Sequence, residues 1–269
     1  MKDTLKKCLT DIKTWINSSY LKLNESKTQF TVFCPQGMQF LETTEIKIFD
    51  QNENITLTKE LKILGVNLNC DLNLELFISK KVQSCFFHLR NFNNIRNSLP
   101  IPSRITLVAS IILTKLDYCN SLLVGATEKA LKPLKRILNK AVRFVFNIKK
   151  RDHISPFLFK LHFLPIRYRI DFKICLLAFK IKRKLSPNYL IQSFNDFRPN
   201  TQISLRIGSG RDTTMFKQLP NFLNNKLLFC KLIEKWNKLP ISLRIIESIS
   251  EFKTKLKSHY IRLAFPEFV

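Results

Sequence analysis

An α+β fold that is predominantly α-helical, with its small β portion confined to residues 1–70, follows from three features of the chain. Apolar residues recur at intervals of three and four along most of the sequence, the period of one buried helix face. Alternation of apolar and polar residues, the mark of a half-buried strand, is concentrated in Glu45–Leu68. Only 5 glycines occur in 269 residues, too few for a glycine-rich β architecture or for phosphate-cradling loops. With 45% apolar residues the chain can bury a sizeable core, as one large domain or two to three small ones.

The same composition limits the partners. Lys and Arg number 45 against 20 Asp and Glu, a formal charge of +25. An unpartnered domain gains little from that self-repulsion, so a polyanion is the expected partner. The N-terminal MKDTLKKCLTDIKTW has no continuous apolar core of a signal peptide, and the most apolar run, Ile105–Leu113, is too short to span a bilayer. The chain is expected inside the cell, in nucleus or cytoplasm, without a membrane partner. Cys8, Cys34, Cys70, Cys85, Cys119, Cys175 and Cys230 form no CxxC pair, so neither a zinc ribbon nor a disulfide framework is indicated. They read as reduced, mostly buried thiols.

Taken in order, Asp3–Tyr20 places Leu5, Leu9, Ile12, Trp15 and Ile16 on one helical face. Leu21–Phe33 reads as short strands around an Asn24-Glu25-Ser26 turn, with Lys27 a solvated lysine beside it. Two or three short strands follow over Glu45–Leu68, where Lys62 precedes Gly65, a glycine suited to a bulge or to close backbone approach. Asp71 or Asn73 caps a long helix to about Arg96. Arg104–Tyr118 is apolar on most sides and should form the bundle core.

Glu128–Phe146 is a third helix, with Leu131, Leu134, Ile137, Leu138, Ala141, Val142 and Val145 inward. Lys129, Lys132, Lys135, Arg136, Lys140 and Arg143 occupy its other faces and form the best candidate surface for a polyanion. Lys149, Lys150 and Arg151 make a positive run at an expected boundary, so the chain divides into residues 1–70, 71–150 and 151–269. A helix opened by Ser155-Pro156 covers His153–Pro165, and its two histidines serve capping and packing, with no third ligand or paired carboxylate at useful spacing. Ile166–Lys184 is amphipathic, and its Arg167, Arg169 and Lys173 are expected to meet phosphates. Asp196–Met215 has the composition of a weakly ordered loop. Phe222–Leu239 and Ser248–Leu263 are the last helices, with Trp236 a core residue.

Several short strings occur in a meaningful order: WINSSYLKLNESKT at Trp15–Thr28, LKILGV at Leu61–Val66, LDYCN at Leu116–Asn120 and DHISP at Asp152–Pro156. LHFLP at Leu161–Pro165, RIDFK at Arg169–Lys173, WNKLP at Trp236–Pro240 and FKTKLK at Phe252–Lys257 continue the series. Together they resemble the part of a non-LTR (LINE-type) retrotransposon reverse transcriptase that follows the catalytic residues, over nearly the whole chain. The resemblance implies a palm remnant through residue 70, a thumb-like helical bundle to 150 and a basic helical C-terminal region. It implies that Lys27 is the palm lysine near the incoming nucleotide, that Lys62 and Gly65 belong to the primer grip, and that the Glu128–Phe146 helix lies along template-primer.

A complete polymerase of this kind uses two metal-bound aspartates and Mg2+ for nucleotide addition. The chain contains no Asp-Asp pair. The resemblance therefore implies a truncated RNA-directed DNA polymerase that binds RNA, DNA or an RNA-DNA hybrid, needs no cofactor in this fragment and does not polymerise alone. The alternatives are a noncatalytic nucleic-acid-binding or interaction protein derived from such an element, with a complete polymerase in trans as a further partner, and a nonfunctional relic.

Overall fold

The computed structural model describes residues 2–24, 27–29, 31–33, 46–47, 54–55, 58–70, 72–196, 216 and 228–268. The chain divides into two compact units, Met1–Phe77 and Ile78–Val269.

In the first unit α1 spans Lys2–Ser18. The face expected to be buried is partly open: Ile12 is exposed and Trp15 is 66% exposed, while Leu9 and Ile16 are half-buried. The helix ends where the Ser18 and Ser19 hydroxyls donate to the Trp15 carbonyl at 2.8 and 3.1 Å. Tyr20 then takes a left-handed φ of 56°. The strands expected over Leu21–Phe33 are absent among the described residues. Instead Asn24 organises a turn, accepting from the Lys27 amide through Oδ1 at 3.2 Å. Two short antiparallel pairs follow. Strand β1, Ile46–Lys47, pairs with β2, Asn54–Ile55, in the register Ile46 to Ile55. Strand β3, Glu60–Ile63, pairs with β4, Val66–Asn69, through Ile63 opposite Val66. Gly65 lies in the two-residue turn of this hairpin and not at a bulge within a strand. Leu64 and Gly65 both have positive φ, 47° and 83°, because that hand of turn matches the twist of the flanking strands. Leu64 bears the cost, about 1 kcal/mol for a residue with a Cβ.

Helix α2, Glu75–Ile95, runs on into the second unit, and Asn73 caps it by accepting from the Glu75 amide at 2.9 Å. The next segment is less regular than one apolar helix. It comprises α3 (Ile101–Leu107), a π-helical stretch (Val108–Leu113) and α4 (Thr114–Asp117). The widened turn puts the consecutive Ile112 and Leu113 both inside, with Val108 and Leu116, and leaves Ile111 half-buried. On the outer side the hydroxyls of Thr106, Ser110 and Thr114 donate to the carbonyls of Pro102, Thr106 and Ser110. These bonds compete with the backbone ladder and suit a loosened turn.

A 3-10 turn, Asn120–Leu123, leads to α5, Glu128–Phe146. Thr127 caps α5 by accepting from the Ala130 amide at 3.3 Å, and Asn147 ends it at φ 57°. Helix α6 covers only Ser155–Lys160, because His162 turns left-handed at φ 52° and Pro165 opens the next helix. That helix, α7 (Ile166–Lys182), is central rather than superficial. It packs on α5, on α9 (Leu228–Asn237) and on α11 (Ile249–Ala264). Regions 71–150 and 151–269, expected to separate near Lys149, therefore share one core from Ile78 onward. Helices α8, Asn188–Asp196, and α10, Ile241–Arg244, complete this unit among the described residues. The expected loop beyond residue 196 and the helical residues 222–227 lie outside the described residues.

Trp236, Phe179 and Phe252 are fully buried together. Phe179 stacks on Phe252 at 4.4 Å between centroids, and Trp236 lies 5.8 Å from both Phe252 and Phe216. Asn237 fixes Phe216 by accepting from its amide and donating to its carbonyl, each at 2.9 Å. Cys175 and Tyr260 share a buried hydrogen bond of 3.1 Å, and burial pushes the Cys175 thiol up to about 12. The thiols are less buried than expected: Cys85 and Cys175 are inside, Cys70, Cys119 and Cys230 half-buried and Cys8 exposed. Cys34 lies outside the described residues. No helix among the described residues is long and apolar enough to cross a membrane.

Candidate nucleic-acid interface

The candidate surface is built on α5, whose sequence separates two chemistries by period alone. Leu131, Leu134, Ile137, Leu138, Ala141, Val142 and Val145 are buried, and Phe144 joins them. Lys129, Lys132, Arg136, Lys140 and Arg143 recur at intervals of three, four, four and three, which aligns them in one row on the opposite side. Lys135 stands beside the row. At about 1.5 Å per residue the row is roughly 21 Å long. Lys129, Lys132, Lys135, Arg136 and Lys140 are exposed. Among the described residues no carboxylate lies within ion-pair reach of Lys132, Lys135 or Arg136.

The row continues into a cleft of about 440 Å³ between α2 and α5. Arg90 enters it from α2, Arg96 from the 3-10 turn that follows α2 (Arg96–Ser98), and Lys140 and Arg143 from α5, over Phe86 and Phe144, with no carboxylate in the lining. The Lys140 ammonium sits 4.3 Å from the centre of the Phe86 ring, which holds the charge at the cleft wall. Arg90 and Arg96 were not foreseen, because α2 carries only scattered cations and the cleft requires α5 beside it.

Arg143 is less free than the other cations of α5. Its guanidinium donates to the Lys149 carbonyl and, at 3.1 Å, to the Asp152 carbonyl. Asp152 closes the same loop by accepting from the Lys149 amide at 3.0 Å. Arg143 thus organises the turn that presents the exposed Lys149, Lys150 and Arg151.

The cations of α7 require a correction. Arg169 is not a solvent-facing phosphate contact. Its Nε and Nη2 hold the two carboxylate oxygens of Asp117 at 2.8 and 2.6 Å, with the arginine side chain only 11% exposed. Arg167 is likewise engaged by Glu128, at 2.6 Å, and by the Ala126 carbonyl, at 3.1 Å. Lys173 is half-buried on the same helix. In the first unit Lys27 and Lys62 are exposed, the latter opposite Asn67 in the hairpin, with Gly65 at its turn.

The LDYCN and RIDFK strings meet through Asp117 and Arg169, and Asp171 of RIDFK is held by Lys235, next to WNKLP, at 2.8 Å. Both carboxylates are thereby neutralised within the chain, and no cluster of three His, Cys, Asp or Glu able to hold a metal occurs among the described residues. Replacing Arg169 by methionine should lower unfolding stability by about 3 kcal/mol, since it strands the Asp117 charge in a partly buried place. Replacing Asp117 by leucine in the same chain should restore part of that loss. Equal denaturant midpoints for wild type and Arg169→Met would show that the pair contributes nothing.

Beside this pair, Lys81 donates to the Tyr118 carbonyl at 2.6 Å. Burial lowers its ammonium from 10.5 to about 8. Between those values the unfolded chain keeps a proton that the folded chain has lost, so stability rises with pH. Cys85, pushed by burial from 9.0 to about 11, and Cys175 act in the opposite sense as the pH nears and passes about 9. The Lys81 contribution should climb by about 1 kcal/mol between about pH 8 and 9, while the two thiols offset most of it in the total stability. Urea titrations should therefore show the gap between wild type and Lys81→Met widening by about that amount over this range; a gap that stays constant with pH would discard Lys81 as a titrating group.

Comparison with protein-family models, with curated proteins and with solved structures found no match to this chain.

Proposed function

We propose that this chain is a nucleic-acid-binding portion of a LINE-like reverse transcriptase, gripping template-primer through α5 while lacking the aspartates that add nucleotides. The observation that carries this reading is the exposed cationic row of α5, with Lys132, Lys135 and Arg136 free of carboxylate partners among the described residues. The ordered strings from Trp15–Thr28 to Phe252–Lys257 support the family assignment. Phosphate contacts by such a row are indifferent to base sequence and strongly salt-dependent. RNA, DNA and their hybrid are all suitable partners.

A second reading is a noncatalytic nucleic-acid-binding protein derived from such an element and assembled with a complete polymerase in trans. It is favoured by the exposure of Ile12 and Trp15 on α1, an apolar face that a polymerase surface could cover.

The test is binding of the purified chain to an RNA-DNA primer-template, duplex DNA and single-stranded RNA over a salt series, with primer extension on the same samples. Tight, salt-sensitive binding without extension is expected. Absence of binding at low salt overturns the proposal, and extension overturns its noncatalytic part.

A further inference from the structure

A second groove, of about 660 Å³, runs along α11 on a face of the second unit distinct from the row on α5. Phe159 of α6, Phe172 of α7 and Ile261 of α11 supply its apolar lining. Lys253 and Lys257 stand one turn apart on one edge of the groove-facing side of α11, and Arg262 stands on the other edge, with Thr254 and Ser258 between them. The three cations are exposed, and among the described residues none has a carboxylate partner; Glu251, the nearby acid of α11, is taken by Lys255 at 2.6 Å. Phe159 is braced on one side by Phe268, at 5.5 Å between nearly parallel rings. Phe172 is half-exposed and makes no ring–ring contact among the described residues.

We propose that this groove binds single-stranded nucleic acid, with a base against Phe172 and the flanking phosphates on Lys253, Lys257 and Arg262. The volume falls within the range of small-ligand sites, about 300–1,000 Å³, and is sufficient for a nucleotide. Charge complementarity selects the ligand: a lining with cations on both edges, hydroxyls between them and no carboxylate favours a polyanion. The aromatic floor then favours a polyanion that carries flat rings, and only an unpaired strand can present them. A duplex keeps its bases stacked inside and suits the long row on α5 instead. The inference deepens the nucleic-acid reading and rests on it for the class of ligand, while the two surfaces are separable by experiment.

The probes are a uridine oligomer, an abasic oligomer of equal length and a DNA duplex, each measured in a salt series. Wild type should bind the uridine oligomer about tenfold more tightly than the abasic one, through stacking. Phe172→Leu, which keeps the apolar volume, should erase that preference. The triple variant Lys253→Gln/Lys257→Gln/Arg262→Gln changes only exposed positions and should weaken single-strand binding about 100-fold at about 0.1 M salt, flattening the salt slope by about 2. Its duplex affinity should be unchanged, whereas glutamine substitutions on α5 should do the reverse. Failure of duplex binding alone would overturn the α5 reading and leave the groove standing. Equal binding of uridine and abasic oligomers, or unchanged single-strand binding by the triple variant, would overturn the groove assignment. Displacement of the oligomer by polyglutamate, equally from wild type and Phe172→Leu, would make it an acidic-peptide site and overturn the assignment as well.

Discussion

Replacing Ile112 by aspartate should abolish cooperative unfolding of the Ile78–Val269 unit, whereas the same change at Ile111 should lower the midpoint and leave the unit folded. Ile112 is fully buried in the π-helical stretch, while Ile111, one residue earlier, is half-buried. An aspartate at position 112 loses the burial of a large aliphatic side chain, about 2–5 kcal/mol. It also brings a carboxyl group inside without a designated partner, which adds several kcal/mol even if the group protonates. The sum rivals the whole stability of an ordinary domain, about 5–15 kcal/mol. At position 111 the carboxylate can turn to solvent, and only part of the first term applies. Thermal melts followed by circular dichroism decide the matter. Equal losses at the two positions would mean that the widened turn does not set the inward face, and an unchanged midpoint for Ile112→Asp would remove this segment from the core.

The second large effect is expected on nucleic-acid binding. Substituting glutamine for Lys129, Lys132, Lys135 and Arg136 together should weaken duplex binding by about three orders of magnitude at about 0.1 M salt and flatten the salt slope by up to about 3.6. Those figures follow if each cation neutralises one phosphate, since each contact releases about 0.9 counterion. All four side chains are exposed, so the melting temperature should stay near that of wild type. Arg143 is left intact because it holds the Lys149 and Asp152 carbonyls, and its removal would disturb the loop as well as the charge. The loss should be uniform across sequences, as befits contacts to phosphate rather than to bases. A salt slope equal to that of wild type would remove α5 from the interface.

Local pattern was a good guide wherever the period of a segment decided its structure. The spacing of apolar residues in Glu128–Phe146 located α5, its inward face and its cationic row together, because one helical repeat governs all three. Asn73 as a cap and Trp236 as a core residue were also legible. Gly65 was legible as a special backbone position but not as part of a turn, since Leu64 gives no local sign of taking the same left-handed hand. The apolar segment Arg104–Tyr118 was legible as helical and buried, yet an apolar surface on most sides could not tell which residues face inward. The widened turn at Val108–Leu113 made that choice.

The sequence by itself determined where the long helices α1, α2, α5, α7 and α11 lie, though not the short α8 and α10, that the β portion is small and early, and that positive charge gathers on the outer face of α5. These are properties of neighbours three or four residues apart, and the chain carries them wherever it packs. Only the tertiary structure decided which cations are spent inside the protein. Arg167 and Arg169 resemble Arg136 when read locally, but Glu128 and Asp117 reach them from 39 and 52 residues away. Folding likewise brought α6, α7 and α11 together to make a groove that no single segment contains. A side chain's charge is a local property, whereas its partner is chosen by packing.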